Sequence, residues 1–320
     1  MEEKKLFLPI GRNLSYSFPN HPFSYERVEK TFEILESKKI LERKNIIMEK
    51  IEILPEDILY FFHEKEHINF VKKMSEEGEG YLDFGDTPVY KGVFEDALAV
   101  VSASLIATEK VWKNEAECAF NIIGGLHHAF KNRSAGFCVF NDVCVVISYL
   151  LEKFKVKRIL YVDIDAHHGD GVFYSFYSNP KVWIADIHQI NIFPGTGFEW
   201  ETGEGEAEGT KLNILVDAGA GDKELLKGMK KIVEFGEMAK PEIILMQVGA
   251  DGIRGDPLTQ LKYSLEGHLK AVKIIYQLAK NLCNGKFVAF GGGGYNINNV
   301  SNAWTNLIDF LSSQQSDGSP

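Results

Sequence analysis

Cysteine is scarce in this chain. Only Cys118, Cys138, Cys144 and Cys283 occur in 320 residues, and no two form a C-x-x-C pair. That excludes a cysteine zinc finger and suits a reduced compartment. Positive charge is also short: 35 Lys and Arg stand against 45 Asp and Glu, a formal net charge of -10. A surface that grips nucleic-acid phosphates carries the opposite sign, so no direct nucleic-acid partner is expected. No apolar run reaches 18 residues, and the opening MEEKKLFLPIGRN lacks a signal-peptide pattern. The expectation is a cytoplasmic protein without a membrane partner. Internal repeats and linkers are absent too. With 45% hydrophobic residues to build a large core, the chain reads as one domain.

What is present is an alternation of strand and helix. Strands are expected at residues 5–10, 52–55, 120–123, 158–164, 182–187, 212–216, 243–248 and 286–290. Helices are expected at 25–39, 93–113, 143–154, 223–235, 263–282 and 300–311, and loops at 11–22 and 78–92. This pattern predicts an α/β domain around a mostly parallel sheet with helices on both faces. Residues 312–320 are polar and are expected to form a frayed tail after a domain spanning 1–311.

The densest chemistry lies at 161–171, YVDIDAHHGDG. Asp163, Asp165 and His167 recur at every second residue, so an extended backbone would turn them to one side. Two carboxylates and an imidazole crowded there call for a cation. Asp oxygen and His nitrogen suit zinc, and a catalytic site needs about three ligands plus an open position. Other unusual groups follow other strands: His127 and His128 in GGLHHAF, His188 before FPGTG, Asp251 in GAD, and Tyr295 in GGGGYN. In open α/β sheets ligands bind beyond the carboxyl ends of the strands, so these groups are expected to converge on a metal hydrolase site. The GGGGYN run lacks the G-x-G-x-x-G order of nucleotide sites. His63-Glu64-Lys65-Glu66-His67 matches H-E-x-x-H, but no third ligand pattern follows it, and an exposed charged turn is the simpler reading.

The stretches GGLHHAFKNRSAGFCVFND, YVDIDAHHGDGV, FPGTGF, GADGIRGDPL and GGGGYN resemble the histone deacetylase superfamily, on the arginase–deacetylase fold. The likeness runs from HPFSYERV at residue 21 to NAWTNLI near the C-terminus. GYLDFGDTPVYKG, GADGIRGDPLTQL and GGGGYN look most like the prokaryotic acetoin-utilisation (AcuC-type) deacetylases. The resemblance implies a zinc-dependent amidohydrolase that removes acetyl from the ε-amine of lysine in proteins. By matching position, Asp165, His167 and Asp251 would hold the metal. His127 and His128 would be the acid–base pair, with Asp163 and Asp170 behind them, and Tyr295 would face the substrate carbonyl. Asp86 would hold the substrate backbone. Gly136, Phe137, Phe193 and Leu258 would line a narrow tunnel, and Gly293 would sit beside Tyr295. Iron(II) can replace zinc at such donors.

The arginase branch of the fold binds two manganese ions, but the residues here do not support a second such metal. Related deacetylases often hold a monovalent cation next to the zinc loop, where a small hydroxyl residue commonly stands in place of this chain's Asp186 in ADIH, so Asp163 and Asp186 are expected to bind potassium or another cation. The implied substrate partner is an acetylated metabolic enzyme such as an acetyl-CoA synthetase. Small acetylated amines such as acetylpolyamines are the alternative substrates. A non-catalytic acyl-lysine binding protein is the alternative of another class.

Overall fold

The computed structural model describes residues 5–10 and 16–313. Its eight strands are β1 (Leu6–Ile10), β2 (Ile46–Lys50), β3 (Cys118–Asn121), β4 (Ile159–Asp163), β5 (Val182–Gln189), β6 (Lys211–Val216), β7 (Ile243–Gln247) and β8 (Phe287–Phe290). The helices are α1 (Glu26–Ser37), α2 (Lys65–Glu77), α3 (Val93–Trp112), α4 (Asp142–Lys153), α5 (Asp170–Ser175), α6 (Asp222–Ala239), α7 (Leu265–Cys283) and α8 (Ile297–Ser313). All strands join one parallel sheet in the order β2-β1-β3-β8-β7-β4-β5-β6, with helices on both faces.

The central strands are apolar nearly to their carboxyl ends because both of their faces are covered. In β4 (ILYVD) and β7 (IILMQ) every residue is buried. Helix α3 lies over β1, β3 and β8, and α6 lies over β4, β5 and β6. Its Ala- and Ser-rich sequence lets α3 bury most of its length. Helix starts are marked by side-chain caps: Asn141 accepts the Cys144 N–H at α4, and Ser264 accepts the Gly267 N–H at α7. No described helix is long and apolar enough to cross a membrane.

Three local expectations differ from the structure. The strand expected at 52–55 lies instead at β2, whose five residues pair with all five of β1. It is an edge strand, exposed over Glu49 and Lys50, so it carries little of the apolar signal that marks a buried strand. β3 begins and ends two residues earlier than expected, because the chain already turns at Gly124, whose N–H donates to the Asn121 carbonyl. Ser312 and Ser313, assigned to a frayed tail, complete α8, and Ser312 is buried. The loop expectation at 11–22 falls partly on residues 11–15, and the tail expectation mostly on 314–320. Both segments lie outside the described residues.

Candidate active site

Five neighbouring strands, β3, β8, β7, β4 and β5, deliver the site. Parallel strands all end on the same side, so the loops after them meet. β4 stops at Asp163, and the chain bends before Asp165 and His167. The three therefore do not form one extended face. Asp165, His167 and Asp251 instead converge, each with a ligand atom within 4.8 Å of the others, and all three are buried. Asp251 arrives from the end of β7, the strand beside β4. His167 Nδ1 lies 2.8 Å from Asp251 Oδ2 and 3.2 Å from Asp165 Oδ1.

The remaining oxygens of the two acids are held by the protein. Asp165 Oδ2 accepts from Gln247 Nε2 at 2.6 Å and from the Gly293 N–H at 2.8 Å. Asp251 Oδ1 accepts the Ala166 N–H at 2.8 Å. Gly293 must be glycine for a steric reason: a Cβ there would come within 2.7 Å of carboxylate oxygens from both Asp165 and Asp251. The donor set is two carboxylates and one imidazole with one side toward a pocket, which fits a divalent ion. The charge balance agrees. Burial alone would lower the His167 pKa, yet Asp165 and Asp251 carry it up to about 10. Burial and the Asp165 charge push Asp251 up to about 8. The acids thus draw positive charge to the point they share.

His127 and His128 stand beside this cluster, their Nε2 atoms 3.0 Å apart. Each Nδ1 faces a carboxylate: His127 meets Asp163 Oδ2 at 2.8 Å, and His128 meets Asp170 Oδ1 at 2.7 Å. An ionised carboxylate only accepts, so both Nδ1 atoms donate. A single proton then lies between the two Nε2 atoms, and the pair carries one positive charge. That charge sits on His127. Burial opposes it, but Asp163, Asp165 and Asp186 raise the His127 pKa to about 10. Burial and then the His127 charge hold His128 down at about 4, so it stays neutral.

A pocket of about 210 Å3 opens over these groups. It is lined by Asp86, His128, Gly136, Phe137, His167, Ile192, Phe193, Leu258 and Tyr295. The expected tunnel residues Gly136, Phe137, Phe193 and Leu258 thus share one cavity with Asp86 and Tyr295. Gly293 lies beneath, against the acids. Gly136, at φ +54, must also be glycine: a Cβ would come within 2.9 Å of both His128 and Phe193.

Other expected residues lie elsewhere. Asp186 does not enter the pocket. Its Oδ1 accepts from His188 Nδ1 at 2.7 Å, and its Oδ2 accepts the Gly169 N–H at 2.9 Å. Asp163 Oδ1 accepts the Asp165 N–H at 3.0 Å. His63 precedes α2 and His67 lies within it, so the H-E-x-x-H match does not put two histidines on one helix face. Both rings are buried against Phe140.

Several supporting residues gave no sequence signal. Arg27 reads as part of the charged face of α1, yet it is buried and donates to the Gly292 and Gly294 carbonyls, at 3.2 and 3.1 Å, under the Tyr295 loop. Asp256 accepts the Tyr295 N–H at 2.7 Å, and Tyr16 donates to the Phe137 carbonyl. Asn141 Nδ2 ties the His127 and Ala129 carbonyls to the start of α4. Each is a lone polar residue whose partner is remote in sequence. Only the GDPL context around Asp256 could have drawn attention to one of them.

The comparisons with known proteins agree with this geometry. The histone deacetylase domain family matches residues 21–311. Acetoin utilization protein AcuC of Bacillus subtilis is 37% identical over 298 residues, covering 90% of this chain and 76% of its own. A probable deacetylase of Archaeoglobus fulgidus is 34% identical, over 90% of this chain and 80% of its own. Among solved structures, a histone deacetylase homologue from Aquifex aeolicus superimposes with a TM-score of 0.85 at 32% identity, covering 97% of this chain and 85% of that one. The HDA15 HD domain superimposes with a TM-score of 0.88 over 98% of this chain and 91% of that one. At 22% identity it speaks for the fold alone. By sequence, fold and site geometry together, this chain belongs to the histone deacetylase family and is a deacetylase, a hydrolase acting on amides.

Proposed function

We propose that the protein is a zinc-dependent lysine deacetylase acting on acetylated proteins. One observation carries this reading. His167 of the Asp165–His167–Asp251 cluster, His128 of the His127–His128 pair and Tyr295 all line one pocket whose walls include Phe137 and Phe193. Two aromatic side chains favour a thin unbranched methylene chain over a bulky one. Zinc held by Asp165, His167 and Asp251 would polarise the amide carbonyl and lower the pKa of water. Iron(II) suits the same donors.

The chain's own residues do the rest. Neutral His128, with Nδ1–H held by Asp170, would act as a base at Nε2 once a water entering the pocket displaces the hydrogen bond it accepts from His127. Charged His127, held by Asp163, keeps a proton available for the departing amine. Tyr295 lines the same pocket as His128, and its hydroxyl would donate to the oxygen that gains charge. Asp86 stands at the mouth, suited to accept backbone N–H groups of a peptide.

A cytoplasmic acetylated metabolic enzyme, of the acetyl-CoA synthetase kind, is the proposed partner. Four free, buried cysteines agree with a reduced compartment. For Asp163 and Asp186 we retain potassium binding as a proposal. An Asp186→Ala enzyme with unchanged cation dependence would reject it.

Acetate release from an acetyl-lysine peptide and from acetylspermidine, with and without chelator, tests the main reading. Peptide turnover is expected to exceed acetylspermidine turnover and to stop on chelation. Tyr295→Phe is expected to lose about 10²–10³ in kcat. Peptide binding without acetate release, in a protein free of zinc, would favour a non-catalytic binder.

A further inference from the structure

Beside the catalytic pocket lies a second depression that no step of the reaction uses. It measures about 400 Å3, and its lining includes Phe70, Tyr81, Leu82, Phe84 and Arg133. Asp86, Gly136 and Phe193 line both cavities, so the two adjoin. Its aromatic rings face water: Phe84 is fully exposed, Tyr81 is 54% exposed and Phe70 is 42% exposed. One exposed aromatic residue needs no explanation, but three around a single depression at a substrate entrance make an apolar patch that does.

The loop that carries Phe84 is rigid. The Asp83 carboxylate accepts the N–H groups of Gly85, Asp86 and Thr87 at 3.0, 2.8 and 2.8 Å, and the Thr87 hydroxyl at 2.6 Å. Thr87 Oγ1 in turn accepts the Phe137 N–H at 3.1 Å, which ties the loop to the wall of the catalytic pocket. Phe84 and Asp86 therefore leave one hydrogen-bonded turn two residues apart. A backbone turn held in place before binding loses little conformational freedom when a ligand covers the side chains it carries.

We infer that this depression is a specificity subsite for an apolar side chain flanking the acetyl-lysine of a protein substrate. The inference rests on the proposed lysine deacetylase function and narrows it. Adjacency chooses the occupant. A segment whose acetyl-lysine fills the first cavity passes Asp86, and residues two apart in an extended chain lie roughly 7 Å from one another. A neighbouring side chain thus reaches the second cavity directly.

The test compares kcat/KM for capped acetyl-lysine, for a peptide with acetyl-lysine between glycines, and for the same peptide with Phe or Leu one or two positions to either side. The wild-type enzyme is expected to prefer the best apolar peptide over the glycine peptide about tenfold. In Phe84→Ser, and in Phe84→Ser with Tyr81→Ala, that ratio is expected to fall to about twofold or less. Equal rates on the glycine and apolar peptides in the wild type would overturn the subsite, as would a preference that survives both substitutions. Acetylspermidine turned over faster than every peptide would also overturn it. A dimer in sedimentation that Phe84→Ser dissolves, with peptide turnover rising as it dissolves, would reassign the patch to self-association and overturn the subsite. No turnover of even capped acetyl-lysine would instead remove the underlying function, and the subsite with it.

Discussion

Among the pairs of buried histidines in the described residues, two behave in opposite ways. His127 and His128 face Asp163 and Asp170, and the pair holds a positive charge. His63 and His67 also lie close together, with ring centroids 5.4 Å apart, but among the described residues no carboxylate hydrogen-bonds either ring. Their partners are backbone: His63 Nε2 accepts the Asn141 N–H at 2.9 Å, and His67 Nε2 donates to the Val139 carbonyl at 3.2 Å. Burial, then the neighbouring His67, holds His63 well below its ordinary pKa, and burial holds His67 at about 4. Burial is similar in the two pairs. The carboxylates decide which pair can do acid–base chemistry and which is structural.

The strongest challenge to this contrast is to remove a member of the charged pair. His128→Ala is expected to lower kcat by about 10²–10⁴, since it deletes the proposed general base. Acetate release reads the loss, and a change of less than tenfold would move the base elsewhere. Chelation is expected to silence the wild type completely, with recovery on adding zinc back. Asp163→Asn keeps the shape behind His127 and deletes its charge. The expected loss is about 10–100-fold in kcat/KM, since partners behind catalytic groups usually matter to that degree.

The neutral pair is sharpened by stability rather than activity. The His67 pKa is lowered in the folded state, so between about pH 4 and its ordinary value of 6.5 the unfolded chain binds the proton and the folded one does not. Stability from this group is therefore complete above pH 6.5 and falls as pH drops, by roughly 2 kcal/mol at pH 5. Urea midpoints of the wild type and His67→Phe from pH 7.5 to 4.5 should show a shallower loss in the variant. An effect on stability of similar size is expected from His63→Phe, which leaves the buried Asn141 N–H without its acceptor. A cost of about 1–3 kcal/mol in urea unfolding is expected. A loss of activity as deep as that of His128→Ala would give the pair a catalytic part that the contrast denies it.

Legibility in the sequence followed the range of the interactions. Continuous apolar runs such as ILYV and IILM announced buried parallel strands, because such strands need no partner to be recognisable. β2 escaped notice because its order comes from pairing with β1 rather than from its own pattern. Asp165 and His167 stood out because they are two residues apart in an acidic and imidazole-rich run. Arg27 and Gln247 did not, since each reads as ordinary until its partner, remote in the chain, is beside it.

The amino-acid order alone determined the parallel sheet and the donor chemistry gathered at its strand ends. Spacing alone left open which acids could share an ion, although the family resemblance pointed to Asp165 and Asp251 with His167. Asp163 is two residues from Asp165, yet it serves His127, and Asp251 completes the cluster from more than eighty residues further along the chain. Only the folded sheet decided this. β4 ends at Asp163 and the chain bends, while β7 runs alongside in the same direction and releases Asp251 at the same level. Proximity in a parallel sheet is set by the register of neighbouring strands, which no single strand encodes.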